Sequence, residues 1–529
     1  MSTFVEDRHV LVLGDQLTHH VGPLAGADLA RTTILLIEST AWARRRRYHR
    51  QKLVLVWSAM RHFAEESRAL GFRVHEYRVE AFEDGLRAHL AAYPGCRIEL
   101  MEPAEHGLAP SLASTVQALG GTLRLVPNQL WLSSEHEFDA WAAGRRSFRM
   151  EYWYRLERRR TGWLMVDREG RPARPGAAGA QPVGGTWNLD RENRQRVPTG
   201  SRFAPPPASR PDAITRTVMQ LVERDFESNP GELAGFGWPV TRQQALEALD
   251  DFVSRRLAAF GPYQDALVDG DATLAHSLLS APLNLGLLSA AEVCERALDA
   301  YERSGGGSAS VTTIPLASIE GFIRQLLGWR EFLRHIYRMR MPGLATAAGL
   351  GHVGGLPGFY WTGETQMRCL GEAVRAVLAR GHAHHIQRLM VLGNWALLAG
   401  VEARQVDDWF LELFVDAFDW VVIPNVMGMS QWADQSFTSK PYVSGGAYID
   451  RMSDHCGRCP YDPRQSLGAA ACPFSSLYWD FVARHGEALA TNARMGNAVR
   501  SWLRRDDVER RAIRERAEQV RQLASEGRL

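Results

Sequence analysis

The strongest constraint on the fold is an alternation of short apolar runs with helical patterns in the first quarter of the chain. The runs are rich in β-branched and aliphatic residues. They are His9–Leu13, Thr33–Glu38, Phe72–Val79, Arg97–Met101 and Thr122–Val126. Helical patterns, of which 51–70 is the longest, lie between them. Such alternation predicts an α/β domain with a doubly wound parallel sheet and helices on both faces.

Beyond residue 212 the strand patterns nearly vanish and helical patterns follow one another. The stretch before it is dominated by Pro, Gly and Ala, as in a linker that lies over a surface. A chain of 529 residues is too long for one hydrophobic core. We therefore expect an α/β domain over residues 1–165, a linker over 166–211 and a large all-α C-terminal domain over 212–529.

Composition narrows the class of protein further. The chain is 45% apolar and 23% charged, which is typical of a soluble globular protein. Its net charge of +2 means that any surface for nucleic acid must be a local patch. Six cysteines in a chain of this length fit a reducing compartment. The segment Met1–Asp7 lacks the basic and apolar regions of a signal peptide, and no apolar run is long enough to span a bilayer, so we expect a cytoplasmic protein.

Four cysteines have the pattern of a metal centre. Cys456 and Cys459 are three positions apart, Cys472 precedes a proline, and Cys369 is the only plausible fourth ligand from the preceding helical region. Four thiolates suit either zinc or an iron–sulfur cluster. The spacing of the cysteines fits zinc and an iron–sulfur cluster about equally well, and the proline after Cys472 slightly favours the cluster.

Polar residues follow two of the predicted strands. Gly14, Asp15 and Gln16 come after the first strand, and Glu38 ends the second. Parallel sheets bind ligands at the carboxyl ends of their strands, so these residues predict a pocket. The alternative is that Asp15 caps a helix and Glu38 faces solvent.

Two segments rich in arginine, 44–47 and 144–160, indicate either contact with nucleic acid or solvated helix faces. The second segment also carries interleaved aromatic residues, which would suit stacking on bases. The structural alternative, an amphipathic helix with a basic face, explains both segments at least as well as contact with nucleic acid does.

Polar segments of the helical half could hold a cofactor. The pair Arg330 and Glu331 is either a structural ion pair or part of a cofactor pocket. Three histidines at 382, 384 and 385 favour a general acid over a metal site, although each could be an ordinary core histidine. A carboxylate between residues 416 and 430 could pair with Arg388 and hold a cofactor ring.

The order of these motifs is familiar. Gly-x-Tyr at 261–263, His-Ser-x-x-Ser at 276–280, Trp-Arg-Glu-Phe at 329–332, His-His-x-x-Arg at 384–388 and Pro-Asn-x-x-Gly-Met-Ser at 424–430 resemble the photolyase/cryptochrome superfamily. The cysteine quartet, Gly-Asp-Gln-Leu at 14–17 and Ser-Ala-Met-Arg-His-Phe at 58–63 resemble its iron–sulfur bacterial branch, which includes prokaryotic (6-4) photolyases.

The resemblance implies three cofactors. The quartet Cys369, Cys456, Cys459 and Cys472 would ligate a [4Fe-4S] cluster, and Gly14, Asp15, Gln16 and Glu38 would lie near a 6,7-dimethyl-8-ribityllumazine antenna. The helical domain would bind FAD. The residues that match its phosphate and ribityl contacts are Tyr263, His276, Ser277, Leu278 and Ser280. Those that match the surroundings of its isoalloxazine ring are Gln325, Arg330, Arg388, Asp416, Asp419 and Asn425.

The resemblance also implies an activity. His385 matches the active-site histidine of (6-4) enzymes, with His384 beside it and Tyr442 in the lesion pocket, while Trp361, Trp409 and Tyr448 match a photoreduction chain. We expect a monomeric enzyme that uses light and reduced FAD to repair (6-4) photoproducts flipped out of DNA. The alternatives are a blue-light photoreceptor of the same fold, a light-independent nucleic-acid-binding metalloprotein, and an enzyme that repairs cyclobutane dimers.

Overall fold

A five-stranded parallel sheet forms the first part of the computed structural model, which describes residues 7–305 and 313–529. The strands are β1 (Arg8–Leu11), β2 (Thr32–Ser39), β3 (Arg73–Val79), β4 (Arg97–Met101) and β5 (Thr122–Val126). Their order is β3-β2-β1-β4-β5 and every neighbouring pair is parallel, so the predicted doubly wound sheet is confirmed. The first residues, on which the absence of a signal peptide was predicted, lie outside the described part.

Helices cover both faces of this sheet. They are α2 (Arg50–Leu70) on one face and α3 (Phe82–Ala92) and α4 (Leu108–Ala118) on the other. Helix α1 (Thr40–Arg44) follows β2, whereas α5 (Glu135–Ala142) and α6 (Met150–Thr161) follow the last strand and pack against His335 of the helical half. Side chains alternate between the faces, as a strand period of two requires. Val10 packs in the core that contains α2, whereas Leu11 packs in a separate core with residues of α3.

Helix α2 is buried on most of its surface because it lies between the sheet and the helical half. Its first turn is capped by His49, whose Nδ1 accepts a hydrogen bond from the backbone N–H of Gln51. Its last turn ends at Gly71 with a φ of 105°, a conformation that glycine adopts without steric cost.

The remainder of the chain is almost entirely helical, as predicted. A short antiparallel hairpin of β6 (Met165–Val166) and β7 (Gln181–Pro182) leads into it. The helices are α7 (Ala213–Asp225), α8 (Arg242–Arg255), α9 (Leu257–Tyr263), α10 (Ser280–Asn284), α11 (Ala290–Ser304), α12 (Leu316–Ile323), α13 (Glu331–Arg340), α14 (Phe359–Thr362), α15 (Arg368–Arg380), α16 (Asn394–Ala399), α17 (Ala403–Leu413), α18 (Asp419–Pro424), α19 (Gly446–Met452), α20 (Pro473–Arg484), α21 (Gly486–Ala490), α22 (Gly496–Leu503) and α23 (Asp507–Ser525). Short 3-10 turns occur at Gly22–Leu24, Leu29–Arg31, Val183–Gly185, Gly343–Thr346 and His455–Arg458.

Three π-helical segments interrupt the helical half. They are Arg324–Arg330, Gln387–Gly393 and Asn425–Ser430. Each overlaps one of the polar motifs found in the sequence, and such turns often mark functional sites. The last two segments are in contact: a Cβ placed on Gly393 would lie 2.1 Å from Ser430 Oγ, so this position requires glycine.

The two halves share one continuous core. The buried Lys52 of α2 donates hydrogen bonds to the carbonyls of Leu411 and Ala417, at 2.8 and 2.7 Å. The Arg330 guanidinium lies 4.2 Å from the ring centre of Trp131 and 5.3 Å from that of Trp420. Within the described residues, no helix combines the length and apolar character needed to cross a bilayer.

Candidate active site

A buried ion pair organises the middle of the helical half. Arg388 donates two hydrogen bonds to Asp416, at 3.0 and 2.9 Å, which realises the predicted pairing. Asp416 also accepts a hydrogen bond from Ser280 Oγ at 2.6 Å, and its backbone carbonyl accepts one from Asn284. Burial raises the pKa of Asp416, but Arg388, His382 and Ser280 more than offset this and hold it below 3.8.

Two stacked imidazoles lie beside this pair. The rings of His276 and His384 are parallel, with centres 4.5 Å apart. Burial lowers the pKa of His276 to about 3 and that of His384 well below 6.5, so both are neutral at physiological pH. The ring nitrogens of His276 each lie 3.1 Å from a backbone carbonyl oxygen, of Thr273 and of Gln264, and the neutral ring donates to one of them. Both nitrogens of His384 are buried without a partner among the described residues. A buried polar group of this kind requires a ligand or water to satisfy it.

His385 lies beside both of these rings, with its ring centre 5.4 Å from that of His276 and 6.2 Å from that of His384, but it is exposed. Its side chain is 43% accessible, and its Nε2 lies 3.2 Å from Asp265 Oδ1. Asp265 is itself 3.8 Å from Arg194, which also pairs with Asp190. The two adjacent histidines therefore differ in their surroundings: His384 is buried and neutral, and His385 is exposed beside a carboxylate.

Tyr442 and Lys440 lie near Arg194, the arginine next to Asp265. Lys440 Nζ lies 5.4 Å from the centre of the Tyr442 ring. Burial raises the pKa of Tyr442, and Arg494 and Arg194 act on it from nearby. Lys440, Arg494 and Arg194 thus bring positive charge close to the Tyr442 ring, and Arg194 is itself paired with Asp190 and Asp265.

The loop before α10 is held in a strained conformation. Leu274 and Leu278 have φ values of 45° and 58°, a region that residues with a Cβ seldom occupy. Such strain clusters at ligand sites. Ser277, Leu278 and Ser280, which were predicted to contact phosphate and ribityl groups, remain partly accessible in this loop.

The other predicted flavin residues are more scattered. Tyr263 packs edge-on against Phe203. Gln325 and Asn425 lie on π-helical segments and donate to carbonyls of their own helices, while Asp419 begins α18. Arg330 pairs with the fully buried Glu331 at 3.0 Å between two tryptophans, which is the structural ion pair foreseen as an alternative.

Aromatic rings connect Trp409 with the ion pair. The Trp409 indole is buried and lies 5.2 Å from the ring of Tyr360 and 5.7 Å from that of Phe414. Arg388 in turn lies 4.2 Å from the centre of the Phe414 ring. Trp361 follows Tyr360 in α14, whereas Tyr448 lies in α19, next to Arg451.

The four predicted ligand cysteines converge at one recess. Cys369, Cys456, Cys459 and Cys472 line this small recess together with Met367, Ile449, Tyr461 and Phe474. Burial and the neighbouring thiols raise the pKa of Cys456 and of Cys472 to about 12. Among the described residues, no three of these sulfurs form a group within 4.8 Å of one another.

At the carboxyl edge of the sheet a recess is lined by residues 102–107 and by Arg334 and Tyr337, and Asp15 and Gln16 lie beside it. Burial raises the pKa of Asp15 to about 7, although the residue remains partly accessible. Gln16 donates to the carbonyl of Met101 at 2.8 Å, and a Cβ on Gly14 would meet Val56 at 3.1 Å. Glu38 is buried and accepts two hydrogen bonds from Arg61, so the alternative that it faces solvent is wrong.

The arginine-rich segments have structural partners. Arg45 pairs with Glu105, Arg46 with Asp408, and Arg47 donates to the carbonyl of Ser228. In α6 the aromatic side chains Trp153 and Tyr154 face the core. Residues 45–47 lie in a turn after α1 and not on a helix, but their partners within the protein favour a structural role over direct contact with nucleic acid.

Several site residues have no signal in the sequence. Asp265 and Arg194 are single charged residues in irregular segments, and Phe414 stands in an ordinary helical pattern. Their roles depend on long-range contacts with His385 and Arg388. The contact of Trp131 with Arg330 could not be predicted either, because the two residues are almost 200 positions apart.

The chain is similar to known proteins along almost its whole length. A family model described as deoxyribodipyrimidine photo-lyase-related protein matches residues 10–238. A (6-4) photolyase of Agrobacterium fabrum is 42% identical over 515 residues, which cover 96% of this chain and 98% of that protein. The crystal structure of a bacterial class III photolyase from Agrobacterium tumefaciens has the same fold, with a TM-score of 0.56, 16% identity and 99% of both chains covered.

Proposed function

The chain belongs to the (6-4) photolyase family of bacteria, and on this premise we propose that it repairs (6-4) pyrimidine photoproducts in DNA with the energy of light. The observation that carries the proposal is the 42% identity to a (6-4) photolyase over almost the full length of both proteins. The arrangement of an outer and an inner histidine beside a buried Arg–Asp pair supports the same activity.

The recess around Arg388 fits FAD. The two unsatisfied nitrogens of His384, the partly accessible Ser277 and Ser280 and the strained Leu278 loop together form a polar, preformed cradle. Arg388 and Asp416 would orient the ring system, and the accessible loop would hold the phosphates and ribityl chain. Bound FAD would supply the light-driven electron that reaches the lesion.

His385 performs the proton chemistry in this proposal. It is the exposed member of the histidine group, and its Nε2 lies 3.2 Å from Asp265 Oδ1, a contact that orients the ring. A damaged base flipped into the recess would meet His385 on one side and Tyr442 on the other. Flipping is needed because a stacked base cannot reach a buried cofactor, and damage lowers its cost. The buried His384 and His276 stay neutral and exclude water from the cofactor side.

The DNA surface is the local basic rim formed by Arg194, Lys440, Arg451 and Arg494. These side chains surround the recess, whereas the net charge of the whole chain is only +2. Contacts of this kind neutralise phosphates, so binding would weaken steeply with salt.

The cysteine recess fits an iron–sulfur cluster better than zinc. Four thiolates on one tetrahedral zinc at about 2.3 Å would be roughly 3.8 Å apart. In a cluster each sulfur binds a different iron, which suits sulfurs that form no group within 4.8 Å. A cation is also required to deprotonate thiols whose pKa values burial has raised. Cys369, Cys456, Cys459 and Cys472 would hold a [4Fe-4S] cluster that ties α15 to the loop before α20.

The edge recess is the proposed site of the antenna. Asp15 and Gln16 follow β1 at the point between β1 and β4 where the strand order reverses, and doubly wound sheets bind ligands at this point. A lumazine there would contact Gly14, Asp15 and Gln16, while Glu38 would act through its partner Arg61. We also retain the proposed division into an antenna domain over 1–165, a linker over 166–211 and a catalytic domain over 212–529.

The deciding experiment uses the purified protein with reduced flavin and an oligonucleotide that carries one (6-4) photoproduct. We expect restored thymines under blue light and none in the dark. A matched oligonucleotide with a cyclobutane dimer should remain unrepaired. Full flavin occupancy without any (6-4) repair would refute the enzyme function and leave the photoreceptor reading.

A further inference from the structure

We propose that His9, His89 and Cys96 form a binding site for a single metal ion of the zinc class. The site lies in the sheet domain, away from the four cysteines and the histidines of the recess. Its members come from three elements: His9 from β1, His89 from the last turns of α3, and Cys96 from the residue before β4. Because β1 pairs directly with β4, these elements meet at the amino-terminal edge of the sheet.

The ligand atoms are grouped closely enough for one ion. One nitrogen or sulfur from each of the three side chains lies within 4.8 Å of the other two. His9 Nδ1 and His89 Nε2 are 3.0 Å apart. Two nitrogens on a tetrahedral zinc at about 2.05 Å would be roughly 3.4 Å apart, and a nitrogen and a thiolate roughly 3.6 Å. The imidazoles need to separate by only a few tenths of an ångström to admit the ion.

The surroundings hold the two imidazoles in place. Tyr77 Oη lies 3.5 Å from His89 Nδ1, so the tyrosine orients the ring through the nitrogen that would not bind the ion. Metal-binding histidines commonly have a partner of this kind on their second nitrogen. The Tyr93 ring lies 4.7 Å from that of His9, and His75 lies 5.6 Å from His89.

The ligand set indicates the class of ion. Two imidazoles and a thiolate suit zinc or copper, whereas magnesium and calcium prefer oxygen ligands. His9 and His89 are buried and Cys96 is partly buried. Three protein ligands leave one position for water or for His75. An ion here would connect β1, α3 and the start of β4 at the edge opposite the proposed antenna recess.

The test measures zinc uptake by the purified protein with its flavin and iron in place. Protein is dialysed against a buffer that fixes free Zn²⁺ at a nanomolar concentration, and bound zinc and iron are counted by mass spectrometry. We expect one zinc per wild-type chain. In Cys96→Ser and His9→Leu the affinity should fall about 100-fold or more, because loss of a direct ligand exceeds the effect of losing a supporting residue. Cys294→Ser, which alters a buried cysteine of α11, should bind zinc as the wild type does.

A second measurement needs no variant. Zn²⁺ should slow the alkylation of Cys96 by iodoacetamide at least tenfold in the wild type, as read from the Cys96 peptide. Equal zinc uptake by wild type and Cys96→Ser, at equal iron content, would overturn the proposal. So would an unchanged rate of Cys96 alkylation, and this result would stand even if the variants failed to fold.

Discussion

Replacement of Asp416 by asparagine tests the site most directly, because it removes charge while preserving shape. The carboxylate accepts two hydrogen bonds from Arg388 and one from Ser280. Breaking a buried ion pair by removing one partner costs about 3–5 kcal/mol. The Arg388 side chain is 25% exposed, so solvent recovers part of this cost and we expect about 2–3 kcal/mol.

We expect this free-energy cost to weaken the binding of FAD. In the free protein water can solvate the unpaired guanidinium, but a bound ring system would exclude that water. At about 1.4 kcal/mol per tenfold, the dissociation constant for FAD should rise roughly 30- to 140-fold in Asp416→Asn. Fluorescence titration of the apoprotein with FAD measures this constant, and flavin per chain after gel filtration checks it.

Asp407→Asn is the matched control. Asp407 is also buried, but both its oxygens lack a partner among the described residues, and burial raises its pKa to about 7. A raised carboxylate pKa means that the folded protein loses stability as pH rises from about 4 towards 7. The amide removes this loss, so at pH 8 the variant should bind FAD normally and be at least as stable. Equal FAD affinity in wild type and Asp416→Asn, or equal weakening in both variants, would refute the role given to the ion pair.

Three further predictions concern other parts of the molecule. Cys369→Ser should lose its iron and the broad absorption of an iron–sulfur cluster, whereas Cys294→Ser should keep both. His385→Asn should lower the repair yield by about 10²–10³ while leaving FAD occupancy unchanged, as expected for a proton-transfer residue; unchanged repair would contradict its role. Burial lowers the pKa of Lys52 to about 7, so the unfolded chain binds the extra proton and stability should rise by about 1.4 kcal/mol per unit from pH 7 towards 10. Lys52→Met should lose this rise, seen as a flatter Tm between pH 7 and 9 than in the wild type.

The fold could be predicted from the sequence because its signals are local. Each strand of the sheet appeared as an apolar run, and the ends moved by only one or two residues. The convergence of Cys369 with the three later cysteines also followed from the chemistry of the residues, since few other thiols were available. These features depend on residue type and spacing alone.

The finer geometry of the site could not be predicted in this way. His384 and His385 differ because only the first ring is buried. It is buried in part by stacking on His276, which comes from another part of the chain. Arg330 was placed near the cofactor by its motif, but only the tertiary structure shows Trp131 stacked against it. The partner of His385 is a single aspartate 120 positions earlier, and no pattern connects the two.

The three π-helical turns have a consequence for how the molecule tolerates change. A residue added to or removed from a helix rotates all that follows by about 100° about the axis. Removing Gly328 would restore a regular helix and turn Arg330 away from Trp131, although no side chain would be lost. The directions in which side chains such as Arg330 point thus depend on the extra residue in each π-helical turn. Single-residue deletions at the π turns should therefore do more harm than larger deletions in the exposed stretch 168–179.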